Sequence, residues 1–300
     1  MGEFSPVAGK PLDLSDDLQL VLAPNPSPMT YLGTNTYILG RQTLAIIDPG
    51  PDDPAHLAAL EAAIAGRPVS HILLTHSHLD HSPLAATLRE KLGAPTYAFG
   101  DSRAGRSAVM QQLAAEGLAG GGEGIDRAFS PDRTLKDGEM LSSAWGDITA
   151  LHTPGHIGNH LCFVWNDAIF TGDHVMGWAS SLVSPPDGDL SDFMSSCAKL
   201  QSHDARVYYP GHGAPVTQPA ARLAWLIAHR KMREAQILAT LANTPATPAM
   251  ITSAIYENLT AGLATAAERN VFAHLVDLYK RGKVSAAPQL ATGAIFTLRA

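Results

Sequence analysis

His76, His78, Asp80 and His81 place three imidazoles and a carboxylate within six residues. In an extended chain residues i, i+2 and i+4 point the same way, so His76, His78 and Asp80 converge while Ser77 and Leu79 point away. His81, turning into the next element, reaches a neighbouring point. Neutral imidazole is a preferred zinc ligand, at about 2.0–2.1 Å. Further on, His156 and His212 each follow a strand-like run and a Pro-Gly pair that stops the strand and aims the imidazole sideways. Asp173 closes Thr171-Gly172-Asp173 at a fourth strand end. His76, His78 and His156 would make one tetrahedral site with an open position. Asp80, His81 and His212 would make a second, and Asp173 is an anion able to bridge both. Two cations ~3.5–4 Å apart act as Lewis acids on a shared hydroxide, a nucleophile at neutral pH that needs no Ser or Cys. Asp80 would hold its metal and orient that hydroxide or carry its proton, which makes it the candidate catalytic residue. His/Asp donors accept Zn2+, Mn2+ or Fe2+ by availability, with Zn2+ the first expectation. Asp48, His160 and His174 sit beside these positions and are candidates to brace the ligands or line the substrate cleft.

The elements needed to position these residues can be read from periodicity. Val69–Leu74 is a short apolar run, expected to be a buried strand ending at the histidine cluster. Ser82 fits an N-cap and Pro83 a first helical position, followed by the stripe Leu84, Leu88 and Leu92. Tyr31–Leu39 and Thr43–Asp48 read as a hairpin, and Asp52 or Asp53 then caps a helix carrying Leu57, Leu60 and Ile64. Strands are expected at Gln19–Leu22, Pro95–Phe99, Asp147–Thr153, Leu161–Trp165, Ala168–Thr171 and Arg206–Tyr209, and a helix at Leu190–Gln201. Gly120-Gly121-Gly122 lacks the strand–loop–helix frame of a nucleotide site. Strands interleaved with helices indicate an α/β or α+β layered fold. From Pro219 the texture becomes Ala- and Leu-rich: helices to about Ala242, over Ala246–Glu257 and over Ala264–Arg281, then two short strand-like runs. That pattern suggests a winged-helix-like module and two domains, 1–217 and 218–300.

The composition excludes several classes. A chain of 300 residues, 45% hydrophobic and 16% charged, is a soluble globular type with a sizeable core. No apolar run approaches the ~20 residues of a membrane helix. Met1–Ser15 lacks the basic start and apolar stretch of a signal peptide, so a cytoplasmic location is expected. Cys162 and Cys197 both fall on apolar stripes and read as core residues. Residues 220–300 carry nine Lys/Arg against four acids, +5, leaving −12 for the rest of a chain of net charge −7. Such asymmetry can mark an anionic partner.

The four motifs, His76-x-His78-x-Asp80-His81, Thr153-Pro154-Gly155-His156, Thr171-Gly172-Asp173 and Pro210-Gly211-His212-Gly213, resemble the metallo-β-lactamase superfamily in kind and order over residues 30 to 216. The resemblance implies an αββα sandwich, a dinuclear site at the sheet edges and a metal-dependent hydrolase. A bridging Asp173 resembles the glyoxalase II, lactonase and nuclease branches, and His78 stands where the flavo-diiron branch has Glu. Gly33–Tyr37, Ile46–Gly50, His229–Ile237 and the C-terminal module resemble the lactamase-beta-like protein 2 group, whose animal member is an endoribonuclease on single-stranded RNA. Two hydrolase substrates stay open: a small-molecule ester, lactone or thioester, and the phosphodiester of single-stranded RNA. The RNA reading leans on the +5 module but lacks an aromatic platform, because Tyr256, Phe272 and Tyr279 fit helix interiors. A third reading is a nucleic-acid-binding protein with a non-catalytic metal domain. The module itself could bind nucleic acid, wall the cleft or form a homodimer contact.

Overall fold

The computed structural model describes residues 4–120, 124–257 and 261–299, so Met1–Glu3 and two of the run of glycines, Gly121 and Gly122, lie outside the described residues. The first sheet grows in sequence order through β1 (Leu12–Ser15), β2 (Leu18–Leu22), β3 (Asn35–Leu39), β4 (Leu44–Ile47), β5 (Val69–Leu73), β6 (Thr96–Ala98) and β7 (Arg133–Thr134). Strands β1 to β4 are antiparallel and β4 to β7 parallel. Parallel neighbours need crossovers, and α1 (Pro54–Ile64) and α2 (Leu84–Leu92) supply the first two. Asp53 caps α1 by accepting the His56 N–H, and Pro54 occupies its first turn. After α3 (Ala108–Ala115), the second sheet is built from β8 (Met140–Ser143), β9 (Gly146–His152), β10 (Leu161–Trp165), β11 (Ala168–Gly172) and β12 (Val207–Pro210). It is antiparallel except for β12, which lies parallel to β11 after the crossover α4 (Leu190–Gln201).

Strand alternation sorts the core into layers. Ile47, Leu73, Phe163 and Phe170 point into the interface between the two sheets. Ile46 and Ile72 point the other way, to Leu60 of α1 and Leu88 of α2. Cys162 and Ile169 face Phe193 and Cys197 of α4. The result is the expected α/β class, two sheets between helical layers.

Some local expectations change. Helix α2 starts at Leu84 with Pro83 at its N-cap position, so Ser82 does not cap it; the Ser82 hydroxyl instead lies within donating distance of His78 O (3.1 Å) and Asp126 Oδ2 (2.9 Å). The third strand begins only at Asn35, because Tyr31 turns the chain in the left-handed region (φ 57°). Strands β1, β7 and β8 escape the sequence reading. The first has an exposed alternating face, the second is two exposed residues long, and β8 is half exposed.

The C-terminal module contains α5 (Pro219–Asn243), α6 (Pro248–Ile255), α7 (Ala261–Lys280) and the hairpin β13 (Val284–Ala287) with β14 (Ile295–Leu298). Its core joins Ile237 and Leu241 to Ile251, Phe272, Leu275 and Phe296, together with Met110 and Leu113 of α3. The other half of α5 places Leu223 and Leu226 in the cluster under α4. One helix therefore belongs to two cores. It also holds the loop between β11 and α4. Arg222 donates to Met176 O (2.7 Å) and Ala179 O (2.5 Å). Arg230 donates to Ser180 O and Ser181 O (2.6 Å each) and to Asn270 Oδ1 (2.9 Å), and lies over the Phe193 ring. Burial pulls the Arg230 guanidinium down to about 10. Among the described residues, no helix is long and apolar enough to cross a membrane.

The buried Arg230 clamp has a measurable consequence. Arg230→Met would leave Ser180 O, Ser181 O and Asn270 Oδ1 short of donors, at about 3 kcal/mol of stability. Urea unfolding should show that loss, and amide exchange should rise at residues 180–183. An unchanged midpoint would mean that the cost of burying the cation cancels its hydrogen bonds.

Candidate metal centre

Strand β5 ends at Leu73, and the chain from Thr75 to Ser82 folds over the sheet edge. Asp48, at the end of β4 with φ 52°, organises this loop. Its carboxylate accepts the Thr75 N–H (2.7 Å) and the Thr75 hydroxyl (2.6 Å), and lies 3.0 Å from His81 Nδ1. The loop carrying His212 is tied to β3: Asn35 Nδ2 donates to Pro210 O (3.0 Å) and Gly213 O (2.9 Å), and Tyr37 Oη donates to Pro210 O (2.7 Å). Two glycines are required by close approach. At Gly172 (φ 44°) a Cβ would press on Thr75 and His160, and at Gly211 it would collide with Asp173 Oδ1 and His81.

These constraints bring all seven ligand candidates together, each at most 7% exposed. Their donor atoms form two groups that share Asp173. In one, His78 Nδ1 lies 3.0 Å from His76 Nε2 and 2.9 Å from His156 Nε2, and Asp173 Oδ2 lies 4.0 Å from His76 Nε2 and 3.6 Å from His156 Nε2. In the other, Asp80 Oδ2 lies 3.3 Å from His81 Nε2 and 3.2 Å from His212 Nε2, which are 3.3 Å apart. Asp173 Oδ1 completes it at 3.5 and 3.3 Å from the same two nitrogens. A tetrahedron of ligands ~2.0–2.1 Å from its centre has edges of about 3.3 Å. The second group meets that spacing on every edge quoted, and Asp173 gives one oxygen to each group.

The outer hydrogen bonds decide which ring nitrogens face inward. His156 Nδ1 is 2.7 Å from Leu182 O, His212 Nδ1 3.1 Å from Gly33 O and His76 Nδ1 2.9 Å from Thr75 Oγ1. The carbonyls can only accept, and Thr75 Oγ1 donates its own proton to Asp48. Each Nδ1 therefore carries the hydrogen, and each Nε2 turns a lone pair inward. Asp48 orients His81 in the same way. Lone pairs packed against lone pairs and carboxylates call for a shared cation.

The electrostatics agree. Burial, reinforced by the charge of His81 and His78, holds His76 well below its usual range, and burial with His156 takes His78 down to about 3. Burial would also lower His212, yet Asp173 and Asp80 push it up to about 10, and His81 is raised in the same sense by Asp80, Asp173 and Asp48. Burial would raise Asp80 and Asp173, but His81 and His212 hold both well below the carboxylate range. The field of the two carboxylates therefore favours positive charge where His81 and His212 meet. Asp80 Oδ1 and Asp173 Oδ1 are buried with no hydrogen-bond partner, as atoms meant for a cation would be. The residues fit a pair of divalent ions.

The three supporting candidates separate. Asp48 braces His81. His160 lies behind His76, its Nδ1 2.9 Å from Thr153 Oγ1 and its ring 5.3 Å from the His76 ring. His174 turns away towards α4, against Phe193 and 3.6 Å from Cys197 Sγ. Neither lines the cleft above the donors, a cavity of about 330 Å³ whose wall includes Met29, Met176, Trp178, Leu182, Tyr256 and Leu263. Sequence reasoning assigned no role to Thr34, whose hydroxyl is 3.3 Å from Asp80 Oδ2, or to Asn35. The available signal was a polar Thr34-Asn35-Thr36 opening an otherwise apolar strand.

Residues 29–212 match the metallo-beta-lactamase superfamily, and residues 247–292 match the beta-lactamase associated winged helix domain. The chain belongs to the metallo-β-lactamase superfamily and is a hydrolase of that family with a C-terminal winged-helix domain. Among individual relatives, it is 31% identical over 272 residues to an atrochrysone carboxyl ACP thioesterase of Aspergillus fumigatus, covering 84% of this chain and 77% of that one. It is 30% identical over 284 residues to a beta-lactamase-like protein 2 homologue of Drosophila melanogaster, covering 90% of both. A metallo-beta-lactamase family protein of Thermus thermophilus, of solved structure, superposes with a TM-score of 0.76 at 26% identity, covering 96% of this chain and all of that one.

Because Asp173 serves both donor groups, Asp173→Ala should cost more than any single histidine. Metal content after dialysis should fall below one ion per chain and turnover should vanish. Two retained ions with full activity would remove Asp173 from the bridging position.

Proposed function

We propose that this chain is a dinuclear zinc hydrolase of thioesters and related carboxylic esters, with a catalytic unit at 1–217 and the winged-helix module at 218–300 as one wall of the cleft. His76, His78, His156 and Asp173 would hold one ion; Asp80, His81, His212 and Asp173 would hold the other. When bound, the two cations supply Lewis acidity and lower the pKa of coordinated water towards 7. The rest of the chemistry falls to the chain. Asp80, at the floor of the cleft, is the residue placed to hold or move a proton. Trp178, Met176 and Leu263 exclude water and seat an apolar acyl group.

The observation that carries this reading is the shared Asp173 at the foot of a small, apolar-walled cleft. The thioesterase relative supports the reaction class. The basic residues of the module do not favour RNA, because most of them are already engaged. Arg222 and Arg230 clamp a loop, Arg281 pairs with Glu234 and Asp277, Lys280 pairs with Asp189, and Arg269 donates to Ala119 O and Ser184 Oγ. They do not form a free basic stripe of the kind that follows a phosphate backbone.

The test is a panel of acyl thioesters, a lactone, a cephalosporin and a labelled single-stranded RNA, given to zinc-loaded enzyme and to His76→Ala. Thioester turnover should be at least 100-fold above the variant, be lost on chelation and return with Zn2+. RNA cleavage that His76→Ala abolishes, without thioester turnover, would replace this reading.

A further inference from the structure

On the module's side, α5 and α7 bring His229, Arg233, Leu263, Ala266 and Asn270 to the cleft, with Tyr256 between them. Arg233 differs from the other cations here. Arg222, Arg230 and Arg269 commit their guanidinium groups to loop acceptors, and Lys280 and Arg281 have carboxylate partners. Arg233 has no carboxylate partner among the described residues. Its Nη1 is steadied by Gln236 Oε1 (2.8 Å) and Ile255 O (3.2 Å), and its guanidinium carbon lies 4.0 Å over the Tyr256 ring. Its Nε is buried without an acceptor. The side chain is thus held in one place with donors left over, and it lines the cavity that ends at the donor sets.

Nothing else described in the cleft wants those donors. Among the described residues, the only acids lining it are Asp80 and Asp173, which belong to the metal groups. His229, one turn before Arg233, stacks on Trp225 with ring centroids 5.0 Å apart. Burial, then Arg230, Arg233 and Arg222, bring its imidazole down to about 4, so this wall is cationic without being protonated at His229.

We infer that Arg233 recognises an anionic group on the substrate, remote from the reacting carbonyl, so that the substrate class is an acyl ester or thioester with an apolar body and a carboxylate at one end. This rests on the hydrolase reading above and adds the charge of the substrate to it. The carboxylate can come from the acyl chain or from the thiol half, and Arg233 would receive either through a charge-assisted pair.

Two substrate pairs separate these sources. Glutaryl and hexanoyl thioesters of N-acetylcysteamine differ in charge on the acyl side. Butyryl thioesters of 3-mercaptopropionate and N-acetylcysteamine differ on the thiol side. In one pair, wild type should favour the charged member in kcat/KM, and in Arg233→Met that preference ratio should fall at least ~10-fold, mostly through KM. Arg233→Lys should restore part of it. Zinc content is measured on each protein, and the methionine keeps an apolar stem against Tyr256. A ratio equal in wild type and Arg233→Met for both pairs, at two zinc ions per chain, overturns the inference. Should no thioester be hydrolysed at all, the hydrolase reading fails separately, and calorimetric binding of glutarate against hexanoate still reads Arg233. In that case a glutarate preference lost in Arg233→Met sustains the inference, and equal binding ratios end it.

Discussion

Two carboxylates buried a few ångströms apart are the constraint that shapes this molecule. Asp80 and Asp173 are each about 5% exposed, and they share His81 and His212. Burial alone would drive protons onto such groups or push them apart. Their field favours positive charge between them, at the point where His81 and His212 meet and where a bound cation would supply it. Everything nearby serves to keep that arrangement from relaxing. Asp48 fixes the Thr75 turn and the His81 ring together, Asn35 and Tyr37 fix the Pro210–Gly213 turn, and Gly172 and Gly211 let backbone come close enough for the two turns to meet.

The second organising relation joins the module to the catalytic layers. The loop from Val175 to Gly188 has little regular structure of its own, and Arg222 and Arg230 define its course by holding the carbonyls of Met176, Ala179, Ser180 and Ser181. That loop presents Leu182 O to His156 and Trp178 to the cleft, where Trp178 stacks on Tyr31 at 5.0 Å. His156 and the wall of the cleft are therefore coupled through backbone carbonyls of this loop.

What was legible in the sequence follows from locality. His76 to His81 are neighbours in the chain, and the Pro-Gly turns before His156 and His212 announce where strands stop, so the sandwich and the meeting of these side chains at its edge were readable. The winged-helix module was readable because three amphipathic runs and a terminal hairpin have few other solutions. The cleft wall was not, since its shape depends on α5 arginines acting on a loop more than forty residues earlier, which no window of periodicity reports. His160 and His174 illustrate the same limit from the other side. Each stands within four residues of a ligand, yet the turn of the chain sends one behind His76 and the other to α4. The +5 charge of the C-terminal region was a correct count, but Arg222, Arg230 and Arg269 are spent on loop acceptors and Lys280 and Arg281 on carboxylates.

Helix α5 behaves mechanically as a camshaft. It is seated in one core at Leu223 and Leu226 and in another at Ile237 and Leu241, and between those bearings it carries Arg230 towards the loop and Arg233 towards the cleft. Rotational phase along an α-helix advances about 100° per residue with a rise of 1.5 Å. Gaining or losing one residue between Leu226 and Arg230 would swing both cations off their faces together, while either core could still pack. Residues on the exposed faces of this shaft can be exchanged without moving either core, whereas its length between the two seats sets where both cations point.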